Sequence, residues 1–554
     1  MKILFALIPF VSMIALAQTA PTPGAAVPQA AKAPAPMPAI RTNGAVKQMM
    51  VDGKPFLMLS GELHNSSASS VEYMKPIWKK LEAMNLNTVI GTVSWELLEP
   101  REGKFDFTLV DDQIRQARAH NMRLVLIWFA TWKNAVASYV PLWVKTDLKR
   151  FPRVQSKDGV SQEELTPLGE DSMRADAKAY RELMRHIRAV DPQHTVIMMQ
   201  VENETGKLHD SRDRSPLAEA AYKKPVPAEL MSYLSENQAN LAPELRTIWG
   251  ANGLKISGTW SEVFGSDPAG EEIFTAWYIA RYVGKVVEAG KAELPIPMYT
   301  NTWLSQGPQQ IGQYPAGGPN PWVHDIWRAA APKLDLLAPD IYSPDFKGVC
   351  ASFTRNGNPL FIPEARASVP NLIWAIGQHA ALGYSPFGIE ELPEDTPLGA
   401  AYKDLGGMMP IITKYQAEGK VTAVVQDQAD QRGQEISFGG YKLAFSFSAS
   451  GRGVQTPTVP GGRGMSQDNR GYALVVNIAP DEFLLFGQGV SVSFAPATPG
   501  PKIAGIGYID EGRYEKGAWI PGRRINGDEN GGGTRLSLRG QGIGIQKIRL
   551  YRYE

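Results

Sequence analysis

Apolar and polar residues follow two different rhythms along this chain, and the rhythm changes once. From residue 45 to 417, short apolar runs alternate with segments whose apolar residues recur every three or four positions. The runs Phe56–Gly61, Thr88–Val93, Leu124–Phe129, Thr195–Val201, Ile296–Thr300, Leu334–Ala338, Leu360–Pro363 and Tyr384–Ile389 have the length and continuity of strands covered on both faces. The intervening segments read as amphipathic helices. Val71, Met74, Trp78, Leu81 and Met84 follow the first run; Met173, Ala177, Tyr180, Met184 and Ile187 precede the fourth and stop at Asp191-Pro192. Strand–helix alternation predicts an α/β domain with a parallel sheet, and eight candidates make a closed (β/α)8 TIM barrel the economical reading.

Beyond residue 418 helical periodicity stops. Val421–Val425, Tyr441–Phe447, Tyr472–Ile478, Glu482–Phe486, Val490–Phe494 and Ile545–Tyr551 are short strand-like runs split by Gly-rich turns. They predict a smaller C-terminal antiparallel β-sandwich-like domain over 418–554, read as a brace for the barrel. The long section Lys207–Asp267, after the fourth run, is expected on the same face as that strand's end, where it would wall a pocket.

The N-terminus changes the picture of where the protein works. Lys2, the apolar stretch Ile3–Leu16 and the small residues Ala15-Leu16-Ala17 read as an export signal over 1–17, followed by a Pro/Ala-rich linker over 18–44. The apolar stretch is too short for a membrane span. An exported protein, periplasmic or extracellular, is therefore expected. Cys350 stands alone, so no intrachain disulfide forms. The formal net charge of +1, without charged blocks, gives no reason to expect nucleic acid or an anionic membrane as partner. Composition says nothing about oligomeric state.

Chemistry is carried by what ends the runs. Thr195–Val201 runs into Glu202, Asn203 and Glu204, and Leu360–Pro363 runs into Glu364. In a barrel of this kind the C-terminal strand ends hold the reacting groups. Retaining hydrolysis of a glycoside needs two carboxyl groups about 5–5.5 Å apart. Glu204 after the fourth strand and Glu364 after the seventh are the candidate pair. Arg366 is expected to keep Glu364 ionised and Tyr342 to donate it a hydrogen bond. No His pair has metal-ligand spacing and no G-x-S-x-G elbow occurs, so neither a metal, another cofactor nor a serine nucleophile is expected.

These segments resemble the clan of retaining glycosidases whose acid/base ends strand four as Asn-Glu and whose nucleophile ends strand seven. Within it they resemble glycoside hydrolase family 35, the β-galactosidases. The likeness rests on Gly61-Glu62-Leu63-His64, on Trp95…Glu99-Pro100…Gly103…Phe105-Asp106-Phe107, on Val201-Glu202-Asn203-Glu204 and on Pro363-Glu364. It implies Glu204 as acid/base, Glu364 as nucleophile and Asn203 as a contact to the sugar 2-hydroxyl. The pattern departs from the family at Asn65 and Ser66-Ser67, at Glu96 in place of Asn, and at Thr131 in place of a sugar-binding Glu before Trp132. Glu96 could replace that carboxylate. The stretch 94–107 is also similar to family 42, again mostly β-galactosidases. Trp95, Trp132, Trp260 and Trp303 are candidate sugar platforms, with barrel packing as the competing reading. His64, Arg366 and Glu99 are read as supports behind the reacting groups. The expectation is an exported retaining exo-β-glycosidase, a β-galactosidase acting on plant-polymer side chains of the xyloglucan type. The alternatives are another glycone, or a non-catalytic carbohydrate-binding barrel.

Overall fold

A computed structural model describes residues 1, 36–427, 433–448, 468–540 and 542–554. The export signal over 1–17, apart from Met1, and the linker as far as residue 35 lie outside the described residues. Ala35–Glu554 form one compact unit.

Eight parallel strands close into a barrel: β1 (Met58–Glu62), β2 (Thr88–Ser94), β3 (Arg123–Lys133), β4 (Val196–Asn203), β5 (Met298–Trp303), β6 (Leu336–Ile341), β7 (Ile362–Ala365) and β8 (Gly383–Pro386). A helix packed around the barrel follows each in turn: α1 (Val71–Ala83), α2 (Thr108–Ala119), α3 (Glu170–Val190), α4 (Pro268–Glu293), α5 (His324–Ala330), α6 (Phe346–Phe353), α7 (Val369–His379) and α8 (Pro397–Ala417). The continuous apolar runs have a simple cause. Along β3, Leu124, Leu126, Trp128 and Ala130 face the helices, while Val125, Ile127 and Phe129 fill the barrel interior. Both faces are apolar because both are buried.

All the strand ends but one run past the expected apolar run; β8 instead stops at Pro386, short of the expected Ile389. β4 reaches Asn203, β5 Trp303, β6 Ile341 and β7 Ala365, each beyond the apolar run. Parallel pairing continues past the last apolar residue, with Asp340 opposite Glu364 on the neighbouring strand. Asn203, Asp340 and Glu364 are thus last rungs of the sheet, while Glu204 is the first residue beyond its strand. A second departure lies at the start. Residues 39–43, expected within the linker, form a strand (Ala39–Asn43) paired with Val46–Val51, which in turn pairs with Lys54–Phe56. Met49 and Val51 from this sheet enter the interior core and plug the end of the barrel where its strands begin.

The C-terminal part is two antiparallel sheets, as expected. The six-stranded sheet runs in the order Val421–Val425, Tyr472–Ala479, Glu482–Gln488, Gly544–Tyr553, Ile503–Glu515, Ala518–Ile525. The four-stranded sheet runs Gln434–Phe438, Tyr441–Phe447, Val490–Pro496, Leu536–Leu538. Val475, Phe483 and Leu485 face the second sheet and its Leu443, Phe445 and Val492. The alternate residues Leu474, Val476, Leu484 and Phe486 join the core that surrounds the barrel. Strands Tyr472–Ala479 and Glu482–Gln488 of the six-stranded sheet are therefore covered on both faces, whereas Ile503–Glu515 and Ala518–Ile525 carry exposed residues.

Two helical glycines make that seam possible. A Cβ on Gly377 of α7 would lie 2.4 Å from the Ala423 side chain, and one on Gly407 of α8 would lie 2.2 Å from the Tyr514 carbonyl oxygen. Gly407→Ala separates two opposed effects. Helix propensity alone favours Ala by about 1 kcal/mol. Displacing backbone that cannot retreat costs about 1–3 kcal/mol. The second effect wins at a backbone oxygen, so thermal unfolding of Gly407→Ala is expected below wild type; an unchanged or raised midpoint would show that the hairpin 503–525 yields freely.

Candidate active site

One oxygen from each of Glu204, Asp340 and Glu364 lies within 4.8 Å of the other two, and all three side chains are buried. β4, β6 and β7 supply them, so the barrel brings together residues far apart in sequence. Each is held by a separate device.

Glu204 sits where the backbone is forced. Its φ is +46° and that of Glu202 is +62°, a left-handed conformation that costs a non-glycine residue about 1–3 kcal/mol. The compensation is local. Glu204 N–H donates to Asn301 Oδ1 at 2.8 Å, Ala135 N–H donates to the Glu204 carbonyl at 3.0 Å, and the Asn134 amide donates to its carboxylate. Asn301 has a second duty: its Nδ2 donates to Asp340 Oδ2 at 2.7 Å. One amide at the end of β5 thus spans the Glu204 backbone and the third carboxyl. Glu202 itself points away. It accepts the Trp132 backbone N–H at 2.7 Å and shares a buried carboxyl pair with Asp176, which accepts from Trp128 Nε1 and the Thr131 hydroxyl.

Glu364 accepts the Tyr342 hydroxyl at 2.6 Å, the contact expected from sequence. Asn203 is fully buried, and its Oδ1 accepts Lys133 Nζ at 2.9 Å. The ammonium dictates which end of the amide faces it, because Lys only donates. Asn203 Nδ2 is left without a partner among the described residues and free to donate. Glu62, at the end of β1, is fully buried with neither carboxyl oxygen hydrogen-bonded among the described residues.

Crowding dominates the electrostatics. Burial pushes Asp340 well above the carboxylate range, the charges of Glu364, Glu204 and Glu62 push further, and its hydrogen bond with Glu204 adds to the rise. Two carboxyl groups in contact need a shared proton, so Glu204 and Asp340 together carry one. Glu62 is raised in the same way, by burial first and then by Glu364, with Lys133 the opposing cation. The trio is also the group of carboxyls placed to converge on a cation. Tyr342 on Glu364 and Asn301 on Asp340 already occupy one oxygen each, which suits a proton-carrying cluster better than a hard ion wanting six or more oxygens.

Several expected site residues lie elsewhere. Trp260 is fully buried in a short helix, Trp260–Phe264, edge-on to Phe274 at 5.2 Å. Trp132 is 1% exposed and edge-on to Tyr282 at 4.8 Å, and Trp95 is fully buried, giving its indole N–H to Glu99. These three are packing, not platforms; of the four, Trp303 alone keeps partial exposure at a strand end. Thr131 is fully buried, its hydroxyl donating to Asp176. Glu99 holds its own loop through Trp95 and the Gly103 N–H. His64 turns to Glu391, 2.9 Å away, and Arg366 lies over the Tyr342 ring at 5.5 Å, forming no ion pair with Glu364 among the described residues. Glu96 is half-buried near Tyr139, with no hydrogen bond to the pair among the described residues. Sequence reasoning gave no role to Lys133, Asn134, Asn301 or Asp340, nor to Glu62, which it named only within the motif Gly61-Glu62-Leu63-His64. Asn301 and Asp340 sit at run ends and were findable by the rule that located the glutamates; Lys133 and Asn134 had no such signal.

The section 207–267, expected as a pocket wall, is helical (Pro216–Tyr222, Ala228–Glu236, Pro243–Ala251, Trp260–Phe264). It is tied to α4 through Arg214 and Glu271. The chain leaving Glu204 is set by a second loop. Pro315 presses on Gly206, and Glu272 of α4 holds that loop by accepting Tyr314 OH at 2.7 Å and Gly317 N–H at 3.0 Å.

A family model described as β-galactosidase, that of glycoside hydrolase family 42, matches residues 66–264, the segment from α1 to the end of the 207–267 section and including Glu204. A domain of unknown function, DUF5597, matches residues 398–537. A curated β-galactosidase of Xanthomonas manihotis is 33% identical over 196 residues, 33% of this chain and 29% of that protein. The chain thus spans less than a third of the length of that relative. Among solved structures, a β-galactosidase from Bacillus circulans sp. alkalophilus aligns with TM-score 0.48 and 11% identity over 89% of this chain and 99% of that one. A cold-adapted β-galactosidase from Rahnella sp. R3 aligns with TM-score 0.43 and 14% identity over 65% and 57%. The matching family model and the curated relative are both of β-galactosidases, and that model is family 42 where the residue pattern suggested family 35.

Glu272 makes the loop under Glu204 pH-sensitive. Burial lifts its carboxyl from 4.5 to about 7. Below pH 4.5 the group is protonated folded and unfolded alike. Between 4.5 and 7 the unfolded chain has released a proton the folded chain keeps, so stability falls as pH rises, by up to about 3 kcal/mol. Unfolding midpoints measured from pH 4.5 to 8 are expected to fall less steeply for Glu272→Gln than for wild type; parallel curves would refute the assignment.

Proposed function

We propose that this chain is a retaining β-glycoside hydrolase, an exo-acting β-galactosidase. One observation carries the reading: the carboxyl oxygens of Glu204 and Glu364 lie within 4.8 Å, the spacing of a double displacement and too close for the inverting arrangement of about 6.5–9.5 Å.

The steps follow from the contacts. Glu364 attacks the anomeric carbon while Tyr342 fixes its rotamer through Oε1. The proton shared by Glu204 and Asp340 moves to the leaving oxygen, and the C–O bond breaks as the glycosyl–Glu364 ester forms. Glu204 then takes a proton from water, whose oxygen attacks the same carbon and releases Glu364. Asn203 Nδ2, turned outward by Lys133, donates to the sugar 2-hydroxyl, a contact worth most in the transition state.

Galactose as glycone is supported by the family match and the curated relative. Plant side chains of the xyloglucan type as substrate, and export to the periplasm or beyond, rest on the layout and N-terminal pattern read from sequence. A second glycone stays in view for one specific reason: Thr131 is turned away from the mouth and a cation, Lys133, stands beside it.

Nitrophenyl β-glycosides test the reading. Glu364→Gly is expected to lose hydrolysis and regain turnover with azide as the α-glycosyl azide. Glu204→Ala is expected to lose about 10²–10⁴-fold on poor leaving groups and to form the β-azide. Wild-type activity in either variant would end the assignment.

Lys133 is a positioning residue with its own signature. Lys133→Met frees the Asn203 amide to turn, so kcat/KM is expected to fall on the β-galactoside but hardly on its 2-deoxy analogue, which has no hydroxyl to receive Nδ2. Equal losses on both would show that Lys133 acts otherwise.

A further inference from the structure

We propose that Glu62 is the carboxyl that recognises the sugar itself, taking glycone hydroxyls remote from the bond being cleaved. The proposal rests on the glycosidase reading above and names a determinant of specificity within it.

Strand geometry aims the side chain. Met58, four residues earlier on β1, belongs to the interior core. Gly61 faces outward, where a Cβ would lie 2.4 Å from Ile389. Side chains alternate along a strand, so Glu62 points into the mouth. The carboxyls of Glu364, Glu204 and Glu390 and the Lys133 ammonium all act on it there.

What Glu62 lacks is a partner. Both oxygens are buried without a hydrogen bond among the described residues, and no ion pair joins it to Lys133, whose Nζ is taken by Asn203. Native proteins rarely leave a buried carboxyl in this state, and a ligand is one explanation with a chemical signature. Its neighbours show which ligand. Asn203 Nδ2 and the Tyr299 hydroxyl are likewise buried and unpartnered among the described residues. Burial first, and then the charges of Glu62, Asp340 and Glu364, raise that hydroxyl. Donors and acceptors thus converge on one small space ringed by acids. An anion would be repelled there and an apolar group would leave every one of these atoms unpaired. A polyhydroxylated ring both donates and accepts, and fits. Sites built to hold a substrate hydroxyl reject analogues that lack it far more strongly than apolar pockets reject an extra methylene.

Wild type, Glu62→Gln and Glu62→Asp are compared on nitrophenyl β-galactoside and its 3-, 4- and 6-deoxy analogues, with calorimetric titration of galactose, glucose and mannose alongside. Glu62→Gln is expected to unfold at or above the wild-type temperature, since it removes a carboxyl buried without a partner. Its kcat/KM is expected to fall about 100-fold or more on the parent glycoside. That loss should shrink at least tenfold on the analogue missing the hydroxyl that Glu62 holds, and Glu62→Asp should show the same pattern. Equal loss on the parent and all three analogues, or no loss in either variant, overturns the proposal. If wild type cleaves no β-galactoside, the functional reading fails separately. Glu62 then stands if the heat of sugar binding disappears in Glu62→Gln, and falls if wild type binds no sugar or both bind alike.

Discussion

Buried acid crowding is the constraint on which the rest of this structure depends. Glu62, Glu204, Asp340 and Glu364 converge at one end of a barrel whose interior below them is apolar. Four like charges in that space would drive the strand ends apart, so the fold must supply protons, donors and rigid spacing. It supplies protons by burial, which raises Glu62 and Asp340. It supplies donors through Tyr342, Asn134 and Asn301. Spacing comes from the register that sets Asp340 beside Glu364. The arrangement that makes the mouth costly is also the one the proposed double displacement requires: a shared proton beside a carboxylate held by Tyr342.

The energetic cost is met outside the mouth. Left-handed backbone at Glu202, Glu204, Asn134 and Ala135 marks two strands bent where they meet, and only contacts on both sides keep such strain in place. Behind Glu204 lies a layer of its own: Glu202 with Asp176, then Trp128, Thr131 and Tyr282, all buried. That layer fixes the turn of the chain without touching the reacting space. It also explains a substitution that sequence reading found puzzling. Thr131 on β3 serves the Asp176 carboxyl on α3, beside the Tyr282 hydroxyl of α4, so its hydroxyl belongs to the structural side of the strand.

Much of this was legible because the relevant signals are local. Runs apolar on both faces announce parallel strands, and the polar residue that ends each run announces the mouth; Glu204 and Glu364 follow from those two facts alone. Tyr342 followed from the same logic. What escaped was set by neighbours remote in sequence. Trp132 and Trp260 sit near strand ends as sugar platforms do, yet Tyr282 and Phe274 close over them. Arg366 sits two residues from Glu364, on the same side of the strand by count, but stacks on Tyr342 instead of pairing with the acid. The C-terminal ends of β1 to β7 lie past the apolar runs because hydrophobicity ends before hydrogen bonding does, whereas β8 stops at Pro386, inside its run. The strand Ala39–Asn43 was lost in a Pro/Ala-rich stretch, although Asn43-Gly44 is a hairpin signal and Gly44 takes φ +57° there.

Matches to known families divide the chain in a way the packing does not. One model ends at residue 264 and the other begins at 398, within α8, leaving β5 to β8 and the nucleophile candidate between them. Yet α7 and α8 belong to both parts at once: their inner faces cover the barrel, and Gly377 and Gly407 admit the six-stranded sheet on the other side. Glu364 lies on β7, immediately before α7, so the strand that aims it is clamped from outside by that sheet. A domain that only tethered the enzyme to polymer would have no reason to share a core with the helices behind the nucleophile strand. Sharing that core ties the six-stranded sheet to the helices around the barrel, and leaves the four-stranded sheet as the face turned away from it.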